Sequence, residues 1–184
     1  MGFTWSDFGS TEQRKRHVKP HPDRLGPEIY QTHLNRIPHG GMERMVRMKK
    51  PYKIAAKAII FDGDRVLVLR KSKAERSAKD THGWDFPGGG LEPSEPLMEA
   101  LYREVQEETG LSIRVVGPAY IYDDLQEEKH LIIIKFACRQ PVGEVKLSAE
   151  HDSYHWTRMD ELDESPYPEW MKEEIRRAYR IYME

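Results

Sequence analysis

The chain has 184 residues, enough for one domain with a full core and an appendage. Its 38% hydrophobic and 33% charged residues describe a soluble globular protein. No run approaches the roughly 18 apolar residues of a membrane span, and no charged-then-apolar leader opens the chain, so neither a membrane nor a secreted protein is expected. A single cysteine, Cys138, excludes an internal disulfide and fits a reducing compartment, and a cytoplasmic protein is expected.

The net charge of −2 conceals a division. Residues 1–53 hold eleven Lys/Arg against five Asp/Glu (+6), leaving eighteen against twenty-six (−8) in the rest. The first part also carries Pro20, Pro22, Pro27, Pro38, Gly40 and Gly41, with His17, His21, His33 and His39 scattered among them. Only Glu28 to Ile37 shows a weak helical period, so residues 1–51 read as a basic N-terminal extension and residues 52–184 as the domain. Such an arm packs over its own domain, forms a homodimer contact, or draws in polyphosphate or RNA substrates by charge. The histidine spacing matches no zinc pattern.

From Tyr52 onward the texture changes. Ile54 to Phe61 and Val66 to Leu69 are apolar runs of strand length, and Asp62-Gly63-Asp64 between them is a hairpin signal. Lys71 to His82 is polar and reads as a surface loop. Beyond the central box, Ile113 to Tyr122, the Ile-rich Leu131 to Cys138 and the short His151 to Trp156 read as strands. Glu169 to Tyr182 places Met171, Ile175, Ala178, Tyr179 and Tyr182 on one helical face, which should dock on the sheet. This order suggests an α/β fold, a sheet sandwiched between helices.

The box is the stretch from Gly89 to Leu111, GLEPSEPLMEALYREVQEETGL. Pro96 suits a helix start and Gly110 a C-terminal cap, with Leu97, Met98, Leu101, Tyr102 and Val105 as the apolar stripe between them. Glu104, Glu107 and Glu108 stand at i, i+3 and i+4, so three carboxylates share a face near the negative end of the helix dipole. Like charges so placed cost roughly 0.2–0.5 kcal/mol per pair. A violation of two local rules in one place points to a functional site whose missing partner is a cation or a substrate. Hard carboxylate oxygens without clustered His or Cys suit Mg²⁺, or Mn²⁺, rather than zinc. Mg²⁺ held this way shares its coordination with substrate phosphates, so hydrolysis of a phosphoanhydride is the inferred reaction.

Read as G-x5-E-x7-R-E-U-x-E-E-x-G-U, with U aliphatic, the stretch fits at Gly89, Glu95, Arg103, Glu104, Val105, Glu107, Glu108, Gly110 and Leu111. At ordinary residue usage a chance match is on the order of one in ten million. The segment resembles the signature of the Nudix hydrolases, MutT-like members included. The resemblance covers roughly Tyr52 to Glu184 and implies an α/β/α sandwich on a mixed sheet. It further implies that Glu104, Glu107 and Glu108 ligate metal, with Glu104 a general base, and that Arg103 pairs with Glu95 to hold the loop against the helix. Phe86-Pro87-Gly88-Gly89 resembles the family's loop entering the box, which makes the Gly88 carbonyl a further metal ligand. Gly89 and Gly110 are structural positions of the motif. Ser94 and Pro96 depart from the Gly and the Ser or Thr common there.

Outside the box, Glu150 is the candidate for an additional acid, with Glu127 and Glu128 behind it. Arg70 is a candidate phosphate contact, and Trp84 and Tyr122 are candidates for stacking on a base, each set against an ordinary core role. The proline of ADP-ribose enzymes and the tyrosine of dinucleoside polyphosphate enzymes are absent from their windows, which hold Gln126 and Glu127 to Lys129. A nucleoside triphosphate is therefore the expected substrate, with an RNA 5′ end or a nucleotide sugar as alternatives. A non-hydrolytic regulator would be expected to carry a degraded box. An isomerase using an upstream cysteine is set aside, because Cys138 lies downstream.

Overall fold

The structure, a computed structural model, describes residues 50–79 and 83–184. The extension expected over residues 1–51 lies outside the described residues except for Lys50 and Pro51. These two meet the turn between the long strands: Lys50 Nζ donates to the Gln126 carbonyl at 2.8 Å, and the Pro51 carbonyl accepts from the His130 N–H at 3.1 Å.

The Asp62-Gly63-Asp64 signal does form a hairpin. Gly63 takes the left-handed region at φ 61°, and β1 (Tyr52–Asp62) turns back into β2 (Arg65–Lys71) with Asp62 opposite Arg65. The two strands stay paired only near the turn. Away from it, β1 pairs in parallel with β6 (His130–Val142), from Tyr52↔His130 to Ile60↔Cys138, and antiparallel with β4 (Gly88–Gly90). β5 (Ser112–Leu125) forms a bulged antiparallel pair with β6, while β2 is flanked by β3 (Trp84–Asp85) and β7 (His151–Arg158). A seven-stranded mixed sheet results, ordered β3-β2-β1-β6-β5, with β4 on β1 and β7 on β2.

Both faces of this sheet are covered, which the apolar run of β1 requires. Ala56, Ala58 and Ile60 face one helix, α2 (Leu97–Thr109), through Leu101 and Val105. Ile59 and Phe61 face the other, α3 (Glu169–Met183), through Met171, Ile175 and Ala178. Tyr179 and Tyr182 pack on Phe61 at 5.3 and 5.0 Å between ring centroids, so the terminal helix docks by the expected face. Each aliphatic side chain taken from water here stabilises the domain by about 1.5–3 kcal/mol. Cys138 is a buried thiol in the α2-side core, and burial pushes its pKa up.

Several local expectations need correction. The Lys71–His82 loop contains a short helix, α1 (Lys73–Lys79), and Lys71 itself belongs to β2 and is buried. Helical spacing placed Tyr102 in the apolar stripe, but it is 43% exposed, because Leu101 and Val105 already fill the sheet-facing side. β5 runs on to Leu125 at the connecting turn and β6 to Val142 at its other end, since each supplies the other's backbone partners.

Candidate active site

The site is built where α2 meets β4. Pro96, at φ −63° and ψ 142°, stands immediately before the helix, and its carbonyl accepts the first helical bond from Ala100. Gly110 closes the helix in the left-handed region at φ 70°, its N–H donating to the Gln106 carbonyl. Across this helix Arg103 organises the loop. Its Nε and Nη2 donate to the two oxygens of Glu95 at 2.8 and 2.9 Å, a planar two-point pair, and Glu95 Oε2 also accepts from the Glu92 N–H. The hydrogen bonds from Arg103 hold the Glu95 carboxyl at about 2, well below the usual range, and Glu95 in turn raises the Arg103 guanidinium. Ser94, within this turn, sits at φ 68°, where glycine is the unstrained residue.

The three box carboxylates differ in burial along the helix: Arg103 Nη1 bonds both Glu104 and Glu107, which are unequally exposed. Glu104 and Glu108 are buried against the glycine strand, whereas Glu107 has a 60% exposed side chain and pairs with Arg103 at 3.2 Å. Arg103 also donates to Glu104 Oε1 at 2.8 Å. Among the described residues no group of three or more His, Cys, Asp or Glu is preassembled around a metal position.

The glycines explain how two carboxylates come so near the sheet. A Cβ on Gly89 would collide with the Glu104 carboxylate, and one on Gly88, at φ 124°, would collide with the Ala56 carbonyl oxygen. The Gly88 N–H donates to Glu108 Oε2 at 2.8 Å. Burial raises the Glu104 carboxyl against the pull of Arg103 and Lys57, and pushes Glu108 up to about 8 despite Lys57. Two desolvated carboxylates with raised proton affinity lack positive charge, and their hard oxygens fit Mg²⁺ or Mn²⁺. In donor type and charge, then, Glu104 and Glu108 fit a divalent ion, with Glu107 beside them at the exposed edge, sharing Arg103 with Glu104.

The remaining candidates fall in different places. Glu150 is exposed, on a loop joined to the end of α2 by the Ser148 N–H to Glu108 carbonyl bond at 3.2 Å and the Lys146 N–H to Thr109 carbonyl bond at 2.8 Å. Arg70 and Trp84 are cross-strand partners, the guanidinium lying 4.4 Å from the indole centre. Trp84 then meets Tyr167 and His155 edge-on at 4.9 and 5.4 Å, and it packs on the α3-side core. Tyr122 packs elsewhere, against Ala55, Leu131 and Ile133. Glu127 and Glu128 sit at the exposed side of the β5–β6 turn.

A buried charge network went unnoticed in the sequence reading. Lys57 and Lys135 are direct partners across the parallel β1–β6 pair, and both are buried. Lys57 and Lys71 reach Asp85 Oδ2 at 3.2 and 3.4 Å, while Lys135 meets Glu174 of α3 at 2.5 Å among Phe86, Tyr120 and Trp170. Burial alone would raise the Asp85 carboxyl, but Lys57 and Lys71 outweigh it and hold it low. The available signal was a lysine in the middle of each apolar run, IAAKAIIF and LIIIKFAC.

Comparison with known proteins agrees with this geometry. The NUDIX domain family model matches residues 51–178. A nucleoside triphosphatase NudI from Escherichia coli is 34% identical over 90 residues, 43% of this chain and 64% of that protein. The chain thus spans just under two thirds of the length of the curated relatives it matches. The crystal structure of a MutT protein from Methanosarcina mazei Go1 is 32% identical at TM-score 0.57, covering 74% of this chain and 99% of that one. An Ap4A hydrolase from C. elegans, 22% identical at TM-score 0.54 over 71% of this chain and 97% of its own, shares the fold. The box, the sandwich that presents it and the match over most of the chain lead to one conclusion: this protein belongs to the Nudix hydrolase family.

Proposed function

We propose that the domain hydrolyses a phosphoanhydride bond of a nucleoside triphosphate with a divalent cation, Mg²⁺ or Mn²⁺, held by Glu104 and Glu108. The observation that carries this reading is the pair of buried, desolvated carboxylates pressed onto the Gly88–Gly89 strand. Bound there, Mg²⁺ would neutralise phosphate charge and lower the proton affinity of a bound water. The chain's own residues supply the rest. Glu104 Oε1 is fixed by Arg103, which leaves Oε2 to take the proton from the attacking water. Glu108 is oriented by the Gly88 N–H, and Glu95 and Arg103 lock the loop between β4 and α2 so that these positions do not drift. Glu107, at the exposed rim beside Arg103, would be a further ligand for the cation, and Glu150 lies on a loop tied to the same helix end. The Gly88 carbonyl is a further ligand suggested by family likeness.

A nucleoside triphosphate is favoured because the relatives at 32–34% identity are described as a nucleoside triphosphatase and a MutT protein. The deciding experiment is steady-state hydrolysis of a panel of nucleoside triphosphates, dinucleoside polyphosphates and nucleotide sugars in Mg²⁺, with wild type and Glu104→Gln. Loss of about 10²–10⁴-fold in kcat with an unchanged fold supports the assignment. Equal rates in the two proteins, or a preference for a nucleotide sugar over every triphosphate, would contradict it.

A further inference from the structure

Lys57 occupies an unusual place for a lysine. It lies within the apolar run of β1, is buried, and pairs in register with Gly88 on one side and Lys135 on the other. Gly88 is the residue whose N–H holds Glu108, so the Lys57 backbone lies directly beside the strand on which Glu108 is seated. Its charge acts on both Glu104 and Glu108, and Asp85 acts on Glu108 with the opposite sign. A buried lysine beside a second lysine is costly, so retaining it invites a functional account.

We propose that the Lys57–Asp85 pair sets the cation affinity of the Glu104–Glu108 site, with Lys57 weakening the hold on a free divalent ion and Asp85 restoring part of it. This rests on the metal-site reading above. The two side chains are positioning residues that act through fixed charge: neither is offered as a ligand. In the interior a unit charge is felt strongly over several ångströms, so a resident ammonium competes with an incoming divalent cation for the same carboxylates. The consequence is a site that holds the ion loosely when alone and fully only when substrate phosphates add their negative charge. Metal and substrate then arrive and leave together.

The test is Mn²⁺ binding without nucleotide, by calorimetry, to the full chain, Lys57→Met, Asp85→Asn and the double variant. Removing the lysine should tighten Mn²⁺ at least about tenfold, and neutralising the aspartate should weaken it by about the same factor. The double variant should return to within about threefold of wild type, because the two charges cancel. A purely structural role would weaken binding in both single variants. Unchanged or weaker binding in Lys57→Met overturns the inference while leaving the metal site intact. Absence of Mn²⁺ binding by the wild type overturns the metal-site reading and this inference with it. Lys57→Met leaves Asp85 its second partner, Lys71. Should the variant nevertheless fail to fold, Lys57→Gln replaces it: tighter Mn²⁺ binding supports the inference, and unchanged or weaker binding overturns it.

Discussion

Glu95 and His151 are both shifted downward, one by a charged partner and the other by burial, and each gives a pH prediction. Arg103 holds the Glu95 carboxyl at about 2, so the folded protein keeps the charge that the unfolded chain loses near its ordinary value of 4.5. The stabilisation is therefore present above about pH 4.5 and fades as pH falls toward 2. His151 is buried, neither ring nitrogen has a hydrogen-bond partner among the described residues, and burial pushes it down to about 4. Unfolding lets it take a proton at its ordinary 6.5, so stability is lost as pH falls from 6.5 to 4 and then levels off. Urea midpoints between pH 7 and 3 separate the two. Glu95→Gln should flatten the lower part of the curve and His151→Phe the upper part; identical curves for all three proteins would contradict both assignments.

Much of the residue-level site was legible because the box is a spacing, and spacing survives without coordinates. Glu95 and Arg103, eight residues apart, were expected to pair, and the structure shows the two-point contact. What spacing could not show was how Arg103 divides its donors. It bonds the buried Glu104 and the exposed Glu107 through one nitrogen while holding Glu95 with the other two. The Lys57–Lys135 neighbourhood was also out of reach, because their adjacency depends on a parallel register between strands more than seventy residues apart.

At the scale of elements, β4 is the piece that sequence patterns describe least well. Three glycines carry no hydrophobic period, so no strand was expected there, and its existence comes from pairing with β1. Its glycines nevertheless do different work, which separates two substitutions. Gly89→Ala drives a methyl group into the Glu104 carboxylate, a flexible group that can move, so turnover should collapse while thermal stability falls by only about 1 kcal/mol. Gly88→Ala meets a backbone carbonyl from a left-handed conformation and should cost several times more stability, on the order of 3 kcal/mol. Activity assays beside thermal melts would show this ordering; equal stability losses would contradict it. On the other face, Ile175→Ala should cost about 2–5 kcal/mol, because Ile175 lies wholly within the core between α3 and the sheet.

For the whole molecule, the sandwich keeps its two helices at different tasks. α2 carries the acids, and α3 closes the opposite face through a continuous apolar stripe. Both β1 faces being buried follows directly from its apolar run, which is why the fold class could be inferred from the strand and helix order. Among the described residues no helix is long and apolar enough to cross a membrane. The first residues of the described chain meet the β5–β6 turn through Lys50 and Pro51.

The central claim is that Glu108, seated on the Gly88 N–H, helps hold the cation on which hydrolysis depends. Glu108→Gln tests it most directly, because the amide oxygen keeps the backbone bond while the charge is lost. Hydrolysis of nucleoside triphosphates by the full-length wild type and variant should be followed across a Mg²⁺ titration, with circular dichroism on both. The account predicts Mg²⁺-dependent turnover in the wild type, its loss by about 10²-fold or more in the variant, and matching spectra. A folded Glu108→Gln protein with wild-type turnover and the same Mg²⁺ dependence would contradict it.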